Sequence, residues 1–300
     1  MSAAASSTAH PAWRVWWWAA RPRTLGAAFS PVLVGTGLAA AAGAAHLPSA
    51  LAALLAASLL QIGTNLANDY SDWHRGADTA ERLGPPRVTQ QGWVAPRQVV
   101  RAAALAFAAA ALVGGYLVWR GGWPILGIGL AGVLCGVTYT GGPLPFGYLG
   151  LGDLVVALFF GPVAVGGTVL VQAQRWLPGW GWASVGPGAL CTAILVVNNL
   201  RDRHTDARAG KRTLAVRWGA RTCRWEYALL LLLAFAAPAL AAALDRLRPG
   251  VLCVALAAPL ALLELQRVRR RDGAALNASL GGTARLALLY GVLFALGAQW

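Results

Sequence analysis

Residues 49–72 read SALAALLAASLLQIGTNLANDYSD. The segment from Ser49 to Ala67 carries no Asp, Glu, Lys or Arg, and an apolar run of about 18 residues or more is long enough to cross a bilayer as a helix. It then turns abruptly polar and acidic, with Asn68, Asp69 and Asp72 within five positions. The pattern returns at residues 189–206, ALCTAILVVNNLRDRHTD, where an apolar stretch finishes in Asn198, Asp202 and Asp206. Two apolar helices that both end in Asn and Asp decide the fold class. The chain is all-α and polytopic, and its polar chemistry gathers at one end of the bundle.

The rest of the sequence fits this frame. Of 300 residues, 57% are hydrophobic and only 12% charged, against roughly 25% charged in a soluble domain. Apolar runs at roughly 24–45, 49–69, 98–118, 122–140, 149–171, 183–201, 226–244, 249–266 and 281–299 predict about nine transmembrane helices. The two acid-ended helices lie four runs apart, which suggests two four-helix units plus a ninth helix, around a central cavity. Residues 1–20 read as an N-terminal tail leading into a Trp-rich interfacial segment, and 21–300 as a single transmembrane domain. Arg21 and Arg23 ahead of an apolar run also suit a cleaved leader, but the charge distribution works with that helix retained.

The net charge of +14 raises the question of nucleic acid. Topology accounts for it instead. With the N-terminus inside, 20 of the 25 basic residues fall in or beside the inner segments and four in the outer loops, a strong positive-inside bias. A multi-pass protein of a bacterial cell (inner) membrane is expected, with a cytoplasmic N-terminus, an outer C-terminus and the acidic clusters on the cytoplasmic side. Membrane lipid is the surrounding partner, and no nucleic-acid partner is expected. Cys135, Cys191, Cys223 and Cys253 have no metal-ligand spacing and read as small packing residues.

On a helix, residues three or four apart share a face. Gln61, Asn65, Asn68 or Asp69, and Asp72 form one stripe; Asn198, Asp202 and Asp206 form another. Both offer oxygen donors only, which suit a hard divalent cation such as magnesium (Mg2+); that ion takes one or two carboxylates and fills its remaining positions with water and phosphate oxygens. Carboxylates near helix C-termini also oppose the macrodipole, so placing them there twice calls for a reason. Basic residues follow each stripe: Arg75, Arg82 and Arg87 after the first, Arg201, Lys211 and Arg212 around the second. Arginine forks and lysine point charges both bind phosphate. Arg217, Arg221, Arg224 and Arg267 to Arg271 read more simply as positive-inside residues, and His74 and His204 as loop residues. Tyr139 either offers an aromatic face to a substrate cation or sits in the interfacial belt. A carrier built on the repeat is the rival from another class, but it should place its ionisable groups near mid-membrane.

Asn68-Asp-Tyr-Ser-Asp72 with Gly84-Pro-Pro-Arg87, Tyr139-Thr-Gly-Gly-Pro143, Tyr148-Leu-Gly-Leu-Gly152, and Asn198-Asn-Leu-Arg-Asp202-Arg-His-Thr-Asp206 with Gly210-Lys-Arg-Thr-Leu-Ala-Val-Arg217 resemble the UbiA superfamily of membrane prenyltransferases. Arg21-Pro-Arg-Thr24, Ser30-Pro-Val-Leu-Val-Gly35 and Leu276-Asn-Ala-Ser-Leu-Gly-Gly-Thr-Ala-Arg285 are similar to its menaquinone-pathway branch. The resemblance covers nearly all of the chain after residue 12. It implies a nine-helix bundle, magnesium, a polyprenyl diphosphate donor and, as acceptor, 1,4-dihydroxy-2-naphthoate, alkylated with loss of carbon dioxide; 4-hydroxybenzoate is the alternative acceptor. It implies metal and diphosphate roles for Asn68, Asp69, Asp72, Asp202 and Asp206, and phosphate contacts for Arg75, Lys211 and Arg212. Asn65, Arg87 and Asn198 join them as substrate-binding candidates, and Tyr139 as a catalytic one. Two departures stand out. Relatives often carry a third acid four residues after the second, whereas Asp78 comes six after Asp72; and relatives often have Glu where this chain has Asp153.

Overall fold

The computed structural model describes residues 11–79 and 81–300, and all regular structure among them is helical. Helix α1 (Ala12–Ala20) turns Val15 and Ala19 inward and leaves Trp13 and Trp17 exposed. Residues 12–20 of the expected tail are thus helical; residues 1–10 lie outside the described residues. Arg21 takes a left-handed conformation (φ 53°) that ends α1, and Pro22 starts α2 (Pro22–Ala41), where its missing N–H costs nothing. Helix α3 (Leu47–His74) and α4 (Pro96–Gly121) form the first long hairpin, followed by the short α5 (Trp123–Thr138). A one-turn helix α6 (Phe146–Leu149) leads to α7 (Gly152–Leu158) and α8 (Ala164–Ala173), joined by a π turn at Phe159–Val163. Helices α9 (Trp180–Arg208) and α10 (Leu214–Ala243) form the second long hairpin. A 3-10 segment (Pro249–Ala257) runs into α11 (Ala258–Arg270), and α12 (Asn277–Gly297) follows.

Among the described residues seven of these segments are long and apolar enough to cross a membrane, and there are eight if the bent pair α1–α2 counts as one span. With the 16-residue α5 this comes to about the nine apolar rods expected, and the protein is a multi-pass membrane protein.

The helix ends differ from the sequence reading in a way that matters. The expected loops at about 69–98 and 201–225 are shorter, because α3 continues to His74 and α9 to Arg208. At about 1.5 Å per residue, these 28- and 29-residue helices exceed the roughly 30 Å hydrocarbon core, so their last turns carry Asp69, Asp72, Asp202 and Asp206 as ordered helix. The acids do not end the helices, since buried cations offset their charge. Breaks lie at other places. Gly161 (φ −94°, ψ −109°) and Pro162 interrupt the α7–α8 rod, and a Cβ at Gly161 would come within 3.3 Å of the Gly188 Cα of α9. Gly219 (φ 79°) turns the start of α10.

The first and last long rods meet along small residues. A Cβ on Gly37 of α2 would lie 2.5 Å from the Ala295 Cα of α12, and one on Gly291 of α12 only 2.9 Å from the Ser30 Cα of α2. Close backbone approach of this kind holds helices together where lipid removes the hydrophobic drive. The largest buried cluster fills the α2, α9, α10 and α12 side, with Val34, Leu190, Leu200, Tyr227 and Tyr290 at its centre. The opposite side, between α3, α4, α5 and α7–α8, is left open as a cavity.

Candidate active site

That cavity has a volume of about 690 Å³. Its deeper part is lined by Ala53, Ala56, Gly115, Leu117, Gly129, Ile125, Phe160 and Val171. Its other end is polar and is built from the last turns of α3 and α9. Asn65, Asn68, Asp72, Asn198, Asp202 and Asp206 line it, together with Arg87, Lys211 and Tyr139. The two acidic helix ends do face one another: Lys211 Nζ lies 3.3 Å from Asp72 Oδ1 and 3.7 Å from Asp206 Oδ1.

Asp72 is the most heavily engaged carboxylate. It accepts from Arg87 Nη2 at 2.7 Å and from the Tyr148 hydroxyl at 2.9 Å, in addition to the Lys211 contact. Burial, and then the neighbouring Asp72, push the Tyr148 phenol well above its ordinary range, so it remains a donor. The Tyr148 ring is also approached by the cations of Lys211 at 4.9 Å and Arg75 at 5.3 Å. Burial opposes the charge on Arg87, yet Asp72, Asp78 and Asp69 together hold its guanidinium above the usual value. Its Nη1 is buried without a hydrogen-bond partner, a donor already desolvated and available to an anion.

Across the cavity, Arg201 is 1% exposed and grips Asp202 side-on. Its Nε donates to Oδ1 at 2.8 Å and its Nη2 to Oδ2 at 2.5 Å. The same guanidinium donates to Asn198 Oδ1 at 2.7 Å and Asn277 Oδ1 at 2.8 Å. Gly84 makes room for it, since a Cβ there would sit 2.7 Å from Arg201 Nη2. Tyr139 packs its ring between Gly147 and Gly152, where a Cβ would come within 3.1 Å and 2.8 Å of its atoms. The aromatic face is thereby fixed at the junction of the polar and apolar parts.

Three expected site residues lie elsewhere. Asp69 does not line the cavity: its Oδ2 accepts from the Val88 backbone N–H at 3.1 Å and its Oδ1 from that of Thr89 at 3.3 Å. It fastens the 75–95 loop, which brings Arg82 and Arg87 over the polar end. Arg75 is exposed and donates to the Gly142 carbonyl, and Arg212 is exposed beside the site. Asn65 lines the cavity but donates to the Ala20 carbonyl at 3.1 Å, tying α3 to the end of α1. Asn68 accepts from Thr140 Oγ at 2.8 Å. His74 and His204 are exposed, and Asp153 is buried outside the cavity lining.

Arg82, read from the sequence as a basic partner of the first stripe, lines the site, and so do Arg21 and Asp78, which were not among the metal or phosphate candidates. Asp78 pairs with Arg82 at 2.6 Å and Arg87 at 3.3 Å. Burial and the nearby Arg87 pull the Arg82 guanidinium below its usual value. The 75–95 loop carries Asp78, Arg82 and Arg87 to the site; Arg21 and Tyr148 stand in two of the motifs that carry the family resemblance, but neither was named as a site residue.

The donor set fits magnesium delivered with a diphosphate. Among the described residues no three His, Cys, Asp or Glu side chains sit close enough to cage an ion alone, and a Mg2+ ion does not require that. The charges lining the cavity balance: Arg21, Arg82, Arg87 and Lys211 against Asp72, Asp78, Asp202 and Asp206. A site of zero net charge binds a multiply charged anion poorly unless cations come with it.

The sequence model of the UbiA prenyltransferase family matches residues 28–291. A 1,4-dihydroxy-2-naphthoate octaprenyltransferase of Mycobacterium tuberculosis is 44% identical over 86% of this chain and 87% of its own. The protein of the same description from Escherichia coli is 38% identical over 96% of both. Among solved structures, a UbiA homolog from Archaeoglobus fulgidus bound to GPP and Mg2+ superposes with a TM-score of 0.66, covering 93% of this chain and 99% of that one, at 16% identity.

Proposed function

This chain belongs to the UbiA prenyltransferase family, and from that premise we propose that it transfers a polyprenyl group from its diphosphate to 1,4-dihydroxy-2-naphthoate, with loss of carbon dioxide, in menaquinone biosynthesis. The observation that carries the proposal is one cavity with a charge-balanced, oxygen-rich end, an aromatic side chain beside it, and an apolar remainder. The relatives at 38–44% identity are named for this donor class and acceptor.

Asn68, Asp72, Asp202 and Asp206 would hold magnesium, which when bound neutralises charge growing on the leaving diphosphate. Arg87, Arg82 and Lys211 bind diphosphate oxygens. Arg87 and Lys211 also hold Asp72 in place, and Tyr148 fixes its orientation. The bond between the allylic carbon and the diphosphate oxygen breaks, and its electron pair leaves with the diphosphate. Tyr139 offers its face to the allylic cation. The naphthoate ring carbon that bears the carboxylate attacks the cation. The carboxylate then departs as carbon dioxide, returning its electron pair to the ring, so no ring proton need be removed. The apolar walls shelter the tail and exclude the water that would hydrolyse the cation. Residues 21–300 form one transmembrane domain in this reading, set in a bacterial cell membrane with the polar end of the cavity on the cytoplasmic side.

The test is an assay of membranes containing the protein with 1,4-dihydroxy-2-naphthoate, a polyprenyl diphosphate and magnesium, beside a 4-hydroxybenzoate arm and an Asp202→Asn variant. A prenylated, decarboxylated naphthoquinol that disappears with EDTA and with the variant is the expected result. Product from 4-hydroxybenzoate alone would keep the ionisation of the prenyl diphosphate but change the acceptor, and would replace loss of carbon dioxide by loss of a ring proton. No product from either, with folded protein in the membrane, would overturn the reading and leave a carrier as the better account.

A further inference from the structure

Asn277 opens α12 within the stretch Leu276-Asn-Ala-Ser. It does not line the cavity, yet its amide touches two parts of the site at once. Its Oδ1 accepts from Arg201 Nη1 at 2.8 Å, and its Nδ2 donates to the Leu83 carbonyl at 2.8 Å. Arg201 in turn occupies both oxygens of Asp202, and Leu83 lies in the loop that carries Arg82 and Arg87.

We propose that Asn277 is a positioning residue for the diphosphate site: it locks the Arg201 guanidinium against Asp202 and pins the 75–95 loop over it. This rests on the prenyl-diphosphate reading above.

The physical case begins with Arg201. A buried guanidinium must have its donors satisfied. It spends Nε and Nη2 on Asp202, shares Nη2 with Asn198, and has Nη1 left over. Asn277 supplies the missing acceptor from a different helix, so the fork cannot rotate away from Asp202 without stranding a buried N–H. A primary amide suits the position because its separate oxygen and nitrogen accept from Arg201 and donate to the Leu83 carbonyl at the same time. An Asp202 held by one edge still has lone pairs for an ion on its cavity side. Its direction is then set by α12, far along the chain from either acidic motif. Partners that orient a metal ligand typically contribute 10–100-fold in affinity.

The experiment measures binding rather than turnover. Geranyl S-thiolodiphosphate, which does not ionise readily, is titrated calorimetrically into the full-length protein in detergent at a series of Mg2+ concentrations. Wild type, Asn277→Ala, Asn277→Asp, Asp202→Asn and the double variant Asn277→Ala/Asp202→Asn are compared, each shown folded by its thermal unfolding profile. Asn277→Ala is expected to raise the Mg2+ concentration for half-maximal binding about 10–100-fold. Asn277→Asp keeps an oxygen for Arg201 and is expected to fall between Asn277→Ala and wild type. The double variant is expected to match Asp202→Asn alone, since the effect runs through Asp202.

Wild-type Mg2+ dependence in folded Asn277→Ala, or effects of the two substitutions that multiply, would overturn the proposal. Should Asn277→Ala not fold, Asn277→Asp decides: a Mg2+ requirement above that of wild type but below that of Asp202→Asn supports the role of the oxygen, and one equal to wild type or as poor as Asp202→Asn overturns it. A wild-type protein that binds no thiolodiphosphate at any Mg2+ concentration would instead overturn the donor reading itself.

Discussion

Asp69 and Asp72 sit three positions apart on α3, yet they do different work. Asp72 faces the cavity and collects Arg87, Tyr148 and Lys211. Asp69 faces the loop and accepts from two backbone amides. Charge-assisted bonds of this type are worth about 1.5–3 kcal/mol each. Asp69→Asn is therefore expected to lower the thermal unfolding midpoint and raise KM for the prenyl diphosphate, because Arg87 is no longer held in place. Asp72→Asn is expected to act mainly on kcat. Steady-state kinetics of the two variants with a common donor separates them, and an equal loss of kcat in both would place Asp69 in the chemistry after all. The sequence could not make this division. Three residues turn a helix by about 300°, so the two side chains lie within one broad face, and only the path of the 75–95 loop decides which of them meets substrate.

Among the elements, the α2–α12 seam sets how tightly the bundle closes. Gly37→Ala would press a methyl group into the backbone of Ala295. Overpacking of this kind typically costs about 1–3 kcal/mol, seen as a lower unfolding midpoint in detergent; an unchanged midpoint would mean that the seam is slack. How much of the fold was legible follows the same physics. Nine apolar rods and the two acid-ended helices could be read from length and periodicity, since lipid imposes both. The helix ends at His74 and Arg208 could not. They depend on Arg87 and Lys211, which come back from the loops after the helices, and on Arg201 of α9 itself, to neutralise carboxylates that would otherwise fray the last turns. Arg75 and Arg212 were expected at the phosphate, but both are exposed and neither lines the cavity; Arg75 instead packs over the Tyr148 ring and donates to the Gly142 carbonyl. Arg21, Tyr148 and Asn277 reach the site from distant parts of the chain; each stands in a motif of the family resemblance, but its neighbours in sequence do not reveal its partner in space. Gly161-Pro162 falls inside the run expected as one uninterrupted rod at 149–171, and the π turn there is a break that the apolar pattern alone did not give.

Over the whole molecule, the excess of basic residues on one side has a direct topological consequence. In a cysteine-free background, Ala207→Cys, exposed at the end of α9, should be shielded from a membrane-impermeant maleimide in intact cells and react after permeabilisation. Ala45→Cys, exposed between α2 and α3, should react in both conditions. The reverse pattern would invert the orientation and put the site on the outer face. One feature of the cavity also bears on how the protein chooses among anions. The four cations and four carboxylates that line it cancel, so the resting site is expected to attract tailless anions such as inorganic phosphate and free nucleotides only weakly. Discrimination then lies in a ternary match, in which an anion is admitted only when it arrives as its divalent salt with a hydrocarbon tail to fill the other end. Common solutes should accordingly be weak competitors even at millimolar concentrations. Spent diphosphate, which has no tail to anchor it, is free to depart together with its ions.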